Sequence, residues 1–227
     1  MRPPRRWALV PAKPFALAKT RLAAVLSPEV RARLAQEHLE RSLLRLRHVD
    51  ALDGVAVRSR DAQAARIASE HGALSLPEAG STQLGALIDS GLSALGERRV
   101  EVALVVLSDL PYLASRDIEA MLELGERHSV VIAADTRDEG TNALLLRPPG
   151  RMPTCFGRYG SFLAHERRAR VLGLDAAPIR RPSLGFDLDT IDDLHHLLAA
   201  GGGGLAALTQ VDAVSLSQGA VKSHADH

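Results

Sequence analysis

Three acidic stations occur in an order that could assemble a site for a divalent cation. They are Ser108-Asp109-Leu110-Pro111, Glu139-Gly140-Thr141-Asn142 and Phe186-Asp187-Leu188-Asp189-Thr190. Taken singly, each has an ordinary use, because Asp before a turn and Asp-x-Asp-Thr before a helix are common capping patterns. Taken together they say more. Asp187 and Asp189 alternate along an extended segment, so their carboxylates share a face, as two oxygen ligands of one hard cation must. With Asp109 beside them, three anions could hold magnesium against phosphate oxygens, which points to metal-dependent nucleotidyl transfer. The opposite charge comes from Lys13, Lys19 and Arg21, three cations within a nine-residue stretch after the first strand. Their spacing suits wrapping a triphosphate better than lining one helix face. The loop is neither a Walker loop nor a G-x-G-x-x-G turn.

The elements around these stations are legible as an alternation. Trp7-Ala8-Leu9-Val10 reads as a first strand ended by Pro11. Ser27 as N-cap, Pro28 at the first helical position and Glu29 in the first turn start a helix whose stripe is Val30, Leu34, Leu39, Leu43 and Leu46. Strands follow at residues 54–58 and 73–76, with a helix over 61–70 between them and another marked by Leu84, Leu87, Ile88 and Leu95. The run from Val102 to Leu107 predicts a strand buried on both faces, as in a parallel sheet. Asp109 then falls at the carboxyl end of that strand, where open α/β sheets bind ligands. A helix over 115–124, strands over 130–134, 143–146 and 176–179, a helix from Ser161 and a last helix after Thr190 complete the body. This order predicts a three-layer α/β/α sandwich with a mixed, mostly parallel sheet. The domain is expected to span residues 1–200, with 201–227 as a Gly-rich linker and C-terminal tail.

Composition narrows the partners. The chain has 227 residues, 46% of them apolar, and a net charge of +1, which offers no electrostatic case for nucleic acid or membrane binding. Cys155 is the only cysteine, so an internal disulfide and a cysteine-based zinc cage are excluded and a cytoplasmic location is expected. The apolar segment after Arg5 and Arg6 is too short for a signal sequence or a membrane span.

Several strings together resemble the 2-phospho-L-lactate or phosphoenolpyruvate guanylyltransferases of coenzyme F-420 biosynthesis. They are Val-Pro-Ala-Lys-Pro followed by Ala-Lys-Thr-Arg-Leu, Ser-Asp-Leu-Pro, Gly-Thr-Asn-Ala-Leu-Leu-Leu at 140–146, Ser161-Phe162 with His165, and Gly185-Phe186-Asp187-Leu188-Asp189-Thr190. The likeness runs in order through about the first two hundred residues.

The resemblance implies a nucleotidyltransferase fold of the glycosyltransferase-A type, with GTP over the carboxyl edge of the sheet. Lys13, Lys19 and Arg21 would contact the triphosphate, with Gly80 and Gln83 also on the nucleotide. Asp109, Asp187 and Asp189 would hold Mg2+ as the catalytic and metal-binding set. Thr141, Gly157 and Ser161 would contact the phosphorylated acid: 2-phospho-L-lactate, phosphoenolpyruvate or 3-phospho-D-glycerate. The product would pass to a downstream F-420 transferase, and a homodimer is an admissible assembly. Two departures stand out. Relatives tend to carry Leu-Asn where this chain has Thr82-Gln83, and the stretch Gly157-Arg158-Tyr159-Gly160-Ser161 is one residue longer than usual, which leaves Gly160 as the alternative to Gly157. His165 is expected to make a structural hydrogen bond and Cys155 to be inert. Alternative readings are a molybdenum-cofactor or sugar-phosphate nucleotidyltransferase, whose Gly-rich first loop is missing here, and a nucleotide-sensing module without turnover.

Overall fold

A computed structural model describes residues 4–77, 83–201 and 206–208. The strands are β1 (Arg6–Pro11), β2 (Gly54–Ser59), β3 (Leu74–Pro77), β4 (Val102–Val106), β5 (Val130–Ala134), β6 (Thr141–Leu146) and β7 (Ala176–Ile179). The helices are α1 (Pro28–Arg47), α2 (Ala62–Glu70), α3 (Leu84–Glu97), α4 (Ser115–Leu124), α5 (Ser161–Val171), α6 (Pro182–Gly185) and α7 (Ile191–Ala199). The seven strands form one sheet in the order β3-β2-β1-β4-β6-β5-β7. Every pairing is parallel except those of β6, which runs against both β4 and β5. The mixed, mostly parallel sheet expected from the sequence is therefore present.

Period-two alternation sends neighbouring side chains into different cores. Ala8, Val10, Leu104 and Val106 face a layer that includes Leu39 and Leu43 of α1, Ile67 of α2 and Ile118 of α4. Leu9, Ala103 and Val105 face α3, through Ile88, Leu92 and Leu95, and α5, through Phe162 and Ala169. β4 is buried along its whole length, as its unbroken apolar run requires. Ser27 caps α1, its Oγ accepting from the Val30 amide, and Thr190 caps α7 reciprocally with Asp193. A third cluster joins Leu22, Leu26 and Leu34 to Leu188, Leu194, Leu197 and Leu208. Packing thus continues past Gly201 into the segment read as tail; the rest of that segment, like Gly80, lies outside the described residues. Among the described residues no helix is long and apolar enough to cross a membrane.

The direction of β6 decides which of its residues reach the ligand-binding edge of the sheet. Because the strand is reversed, its first residues lie where the parallel strands finish: Ala143 pairs with Val106, and the Leu107 amide donates to the Asn142 carbonyl.

Candidate active site

A cleft of about 610 Å3 opens over this carboxyl edge. Its lining includes Lys13, Lys19, Arg21, Asp109, Thr141, Gly157, Gly160, Ser161, Asp187 and Asp189. Residues as far apart in the chain as Lys13 and Asp189 are brought together by the sheet topology. Gln83 is not in the lining; it stands at the N-cap of α3, beside Leu84, which is.

The acidic wall is built from two backbone segments tied together, since the Leu188 amide donates to the Asp109 carbonyl at 3.0 Å. Leu188 itself is fully buried, while Asp187 and Asp189 on either side of it line the cleft. Lys19 donates from Nζ to Asp109 Oδ2 at 2.9 Å and to the Leu188 carbonyl. Its side chain is only 7% exposed, so this lysine turns inward. It does so from a left-handed backbone, φ +52°, which costs a side-chain-bearing residue roughly 1 kcal/mol and is held by its surroundings. Arg21 pairs with Asp189 nearer the solvent. Lys13 is exposed on the rim.

The electrostatics follow from this pairing. Burial would raise the Asp109 carboxyl, but the charge and hydrogen bond of Lys19 outweigh it and hold the group below the usual carboxylate range. Asp187 has no such cation. Burial, then the charges of Asp109 and Asp189, push it up to about 7, against a lowering contribution from the Asn142 amide. Asp109 Oδ1 is buried with no hydrogen-bond partner among the described residues. Also among the described residues, no three His, Cys, Asp or Glu side chains form a ready-made cage for a metal ion. The acidic wall is instead neutralised by Lys19 and Arg21. One orphaned carboxylate oxygen and one carboxylate destabilised by its neighbours are what a divalent cation would relieve, so the residues fit magnesium chemically.

The facing wall is built mainly from hydroxyls and glycines, with Arg158 and Glu139 also on its lining. Thr141 opens β6, Ser161 opens α5, and both are buried to within a few per cent. Ser161 Oγ donates to Thr141 Oγ1 at 3.2 Å, and behind them His165 touches Thr141 Oγ1 with Nδ1 at 3.0 Å. Gly157 and Gly160 both need positive φ, +80° and +69°. A Cβ on Gly157 would also come within 3.2 Å of Leu84 Cβ, whereas Gly160 has open space and leads directly into α5. Both glycines sit on the cleft, so the stretch between Phe156 and Ser161 turns twice beside it.

Four residues that sequence reasoning left aside complete the site. Asn142 donates from Nδ2 to the carbonyls of Leu184 and Gly185, at 2.9 and 3.0 Å, and approaches Asp187 Oδ1 at 3.5 Å. Asp135 accepts from the amides of Arg137, Glu139 and Gly140, closing the loop before β6. Gly140 is there because a Cβ would meet Asp135 Oδ2 at 2.8 Å. His38 of α1 lies under Lys19, 2% exposed, with no partner for Nε2 among the described residues; burial and the lysine charge lower it to about 3. Only Gly-Thr-Asn carried a signal for any of them, and that signal did not reveal what the asparagine holds.

The fold is that of the nucleotidyltransferases. A nucleotidyl transferase from Methanothermobacter thermautotrophicus superimposes with a TM-score of 0.62 at 16% identity, covering 88% of this chain and 97% of that one. The chain belongs to the family described as Guanylyl transferase CofC like, which matches residues 6–210. A phosphoenolpyruvate guanylyltransferase from Rubrobacter xylanophilus is 40% identical over 86% of this chain and 95% of its own length. A 3-phospho-D-glycerate guanylyltransferase from Phenylobacterium zucineum is 36% identical over 78% and 82%.

Proposed function

We propose that this protein transfers GMP from GTP to a small phosphorylated carboxylic acid, releasing pyrophosphate. The observation that carries the reading is the meeting of Asp109, Asp187 and Asp189 with Lys13, Lys19 and Arg21 in one cleft that is also lined by the hydroxyls of Thr141 and Ser161 and by Gly157 and Gly160. Phosphoenolpyruvate is the first acceptor to test, given the 40% identical relative, followed by 3-phospho-D-glycerate and 2-phospho-L-lactate. The product would feed coenzyme F-420 biosynthesis through a downstream transferase, in the cytoplasm.

In this reading a phosphate oxygen of the acceptor attacks the α-phosphorus of GTP, a new P–O–P bond forms, and the α–β bridge breaks in line. The acceptor phosphate is already ionised near neutral pH, so the protein need not supply a base. That agrees with the engagement of both ring nitrogens of His165 inside the protein. Asp109, Asp187 and Asp189 would hold Mg2+, which, when bound, neutralises charge on the phosphates. Lys13 and Arg21 steer the triphosphate from the rim. Lys19 keeps Asp109 ionised in the free protein and presents a cation to the phosphates once its carboxylate partner is engaged elsewhere. Thr141, Ser161 and the glycines at 157 and 160 receive the acid with hydroxyl and backbone donors that approach an anion closely.

Pyrophosphate release from GTP, Mg2+ and each acid in turn tests this directly, with mass spectrometry of the product. GTP binding without turnover on any of the three acids would sink the enzyme reading in favour of a nucleotide sensor.

A further inference from the structure

The hydroxyl pair Thr141 and Ser161 on the cleft has a concealed third member. His165 is fully buried and edge-on to Phe156 at a ring separation of 5.0 Å, and it does not line the cleft. Its Nε2 lies 2.7 Å from the backbone nitrogen of Cys155. A backbone N–H can only donate, so Nε2 must be the bare, accepting nitrogen. Burial lowers the ring's pKa to about 4, so the ring is neutral at pH 7 and its one proton is on Nδ1. Nδ1 therefore carries the N–H, which is shared between the Ser161 carbonyl and Thr141 Oγ1, 3.0 Å away. Ser161 Oγ donates to that same oxygen at 3.2 Å. Both lone pairs of the threonine hydroxyl are then occupied, and its hydrogen is left a single remaining tetrahedral direction. With Ser161 as the donor in this pair, no other hydrogen bond to an acceptor among the described residues takes that hydrogen, and Thr141 borders the cleft.

We infer that His165 is a positioning residue for the acceptor: held in one tautomer by the Cys155 amide, it forces Thr141 to present its O–H, as a donor, to the anionic acid. The inference rests on the acceptor assignment made under Proposed function. Its physical content is direction. A threonine hydroxyl ordinarily rotates to donate or accept as its surroundings suit, and a hydroxyl turned lone pair first would repel an anion. Two inward-facing donors remove that choice before the substrate arrives, so none of the binding free energy goes into reorienting the group. The same arrangement explains why a histidine, and not an apolar side chain of similar size, fills this part of the core against Phe156. A side chain with one accepting and one donating end is what links the loop at Cys155 to the start of β6.

Steady-state kinetics of the wild type, H165L, H165Q, T141V and the H165L/T141V pair test the assignment, using GTP, Mg2+ and phosphoenolpyruvate, 3-phospho-D-glycerate or 2-phospho-L-lactate. H165L is expected to raise the acceptor KM about tenfold while the GTP KM stays within about twofold, the loss expected for one donor to a charged group. H165Q, whose amide can accept at one end and donate at the other, is expected to restore most of the acceptor affinity. The double variant is expected to be no worse than T141V alone, because the histidine acts only through that hydroxyl. Long-range nitrogen–proton NMR of the histidines should show His165 as the Nδ1–H tautomer at pH 7. An Nε2–H tautomer, an equal rise in both KM values, or additive losses in the double variant would overturn the inference. If H165L does not fold, T141V decides: an unchanged acceptor KM there overturns it equally. Wild-type protein inactive on every acid would remove the acceptor assignment and this inference together, whereas active wild type with unsplit KM values removes only the role of His165.

Discussion

On one side of the cleft, Asp109 pairs with an inward-turned Lys19, Asp189 pairs with Arg21 near solvent, and Asp187 stands between them without a cation of its own. On the other side, Thr141, Ser161 and His165 are neutral, almost wholly buried, and joined by hydrogen bonds of 3.0 and 3.2 Å. The contrast reflects two different tasks. Groups that must exchange one cation for another gain from partial exposure and from partners that can leave, since ion pairs near solvent are weak. Groups that must point one way gain from burial, where an unmade hydrogen bond is costly and alternatives are few.

The largest expected effect breaks the charged wall. Asp187→Asn should lower turnover on the order of 10³-fold, the scale seen when a group that stabilises transition-state charge is removed. Circular dichroism should be unchanged. The same variant sharpens the comparison through stability. Since the folded pKa of Asp187 is raised to about 7, the folded state holds a proton that the unfolded state has lost above the normal value of 3.8. Stability contributed by this group is therefore lost as pH rises through 7. Metal-free Asp187→Asn should melt at a higher temperature than metal-free wild type at pH 8, and Mg2+ should raise the melting temperature of the wild type more. Wild-type turnover, or a lower melting temperature in the variant, would detach Asp187 from the site as described.

Breaking the neutral wall should cost less and cost it selectively. Ser161→Ala removes one of the two donors that orient Thr141, and it should raise the acceptor KM by about five- to tenfold with little change for GTP. Equal rises for both substrates would place Ser161 outside the acceptor pocket. Acid should also find this wall first. His165 is lowered from 6.5 to about 4, so the unfolded state binds the extra proton and stability is lost as pH falls from 6.5 towards 4. His165→Gln, with nothing to protonate there, should show a shallower fall in melting temperature over that window; identical slopes would mean that the ring is not shielded. The smallest effect belongs to Arg21, whose side chain is 70% exposed. Arg21→Ala should change stability by less than about 0.5 kcal/mol in urea titrations and should act mainly on the GTP KM.

Much of this arrangement could be anticipated from local pattern. The Val102–Val106 run, the Ser27-Pro28 start of α1 and the Thr190–Asp193 cap each encode their structure within a few residues, and the elements formed where those signals stand. The carboxylates could be nominated because strand ends are where loops carry function. What stayed hidden depends on distance along the chain. Lys19 reads as one of three solvated cations until its partner, 90 positions away, is known. The amide of Asn142 finds its acceptors 42 and 43 positions downstream. Nothing in Asn-Ala-Leu-Leu-Leu says which way its strand will run, because an apolar run is palindromic in its hydrophobic pattern.

The reversed strand β6 also fastens both halves of the cleft with two consecutive residues. Thr141 projects to one face, towards α5, and Asn142 to the other, towards the turn that precedes Asp187. Adding or deleting one residue between Asp135 and Gly140 would move that strand by one place and turn both side chains to the wrong face at once. The two half-sites therefore share a single mechanical setting, and the length of the loop before Thr141 is as much a part of the chemistry as any side chain within it.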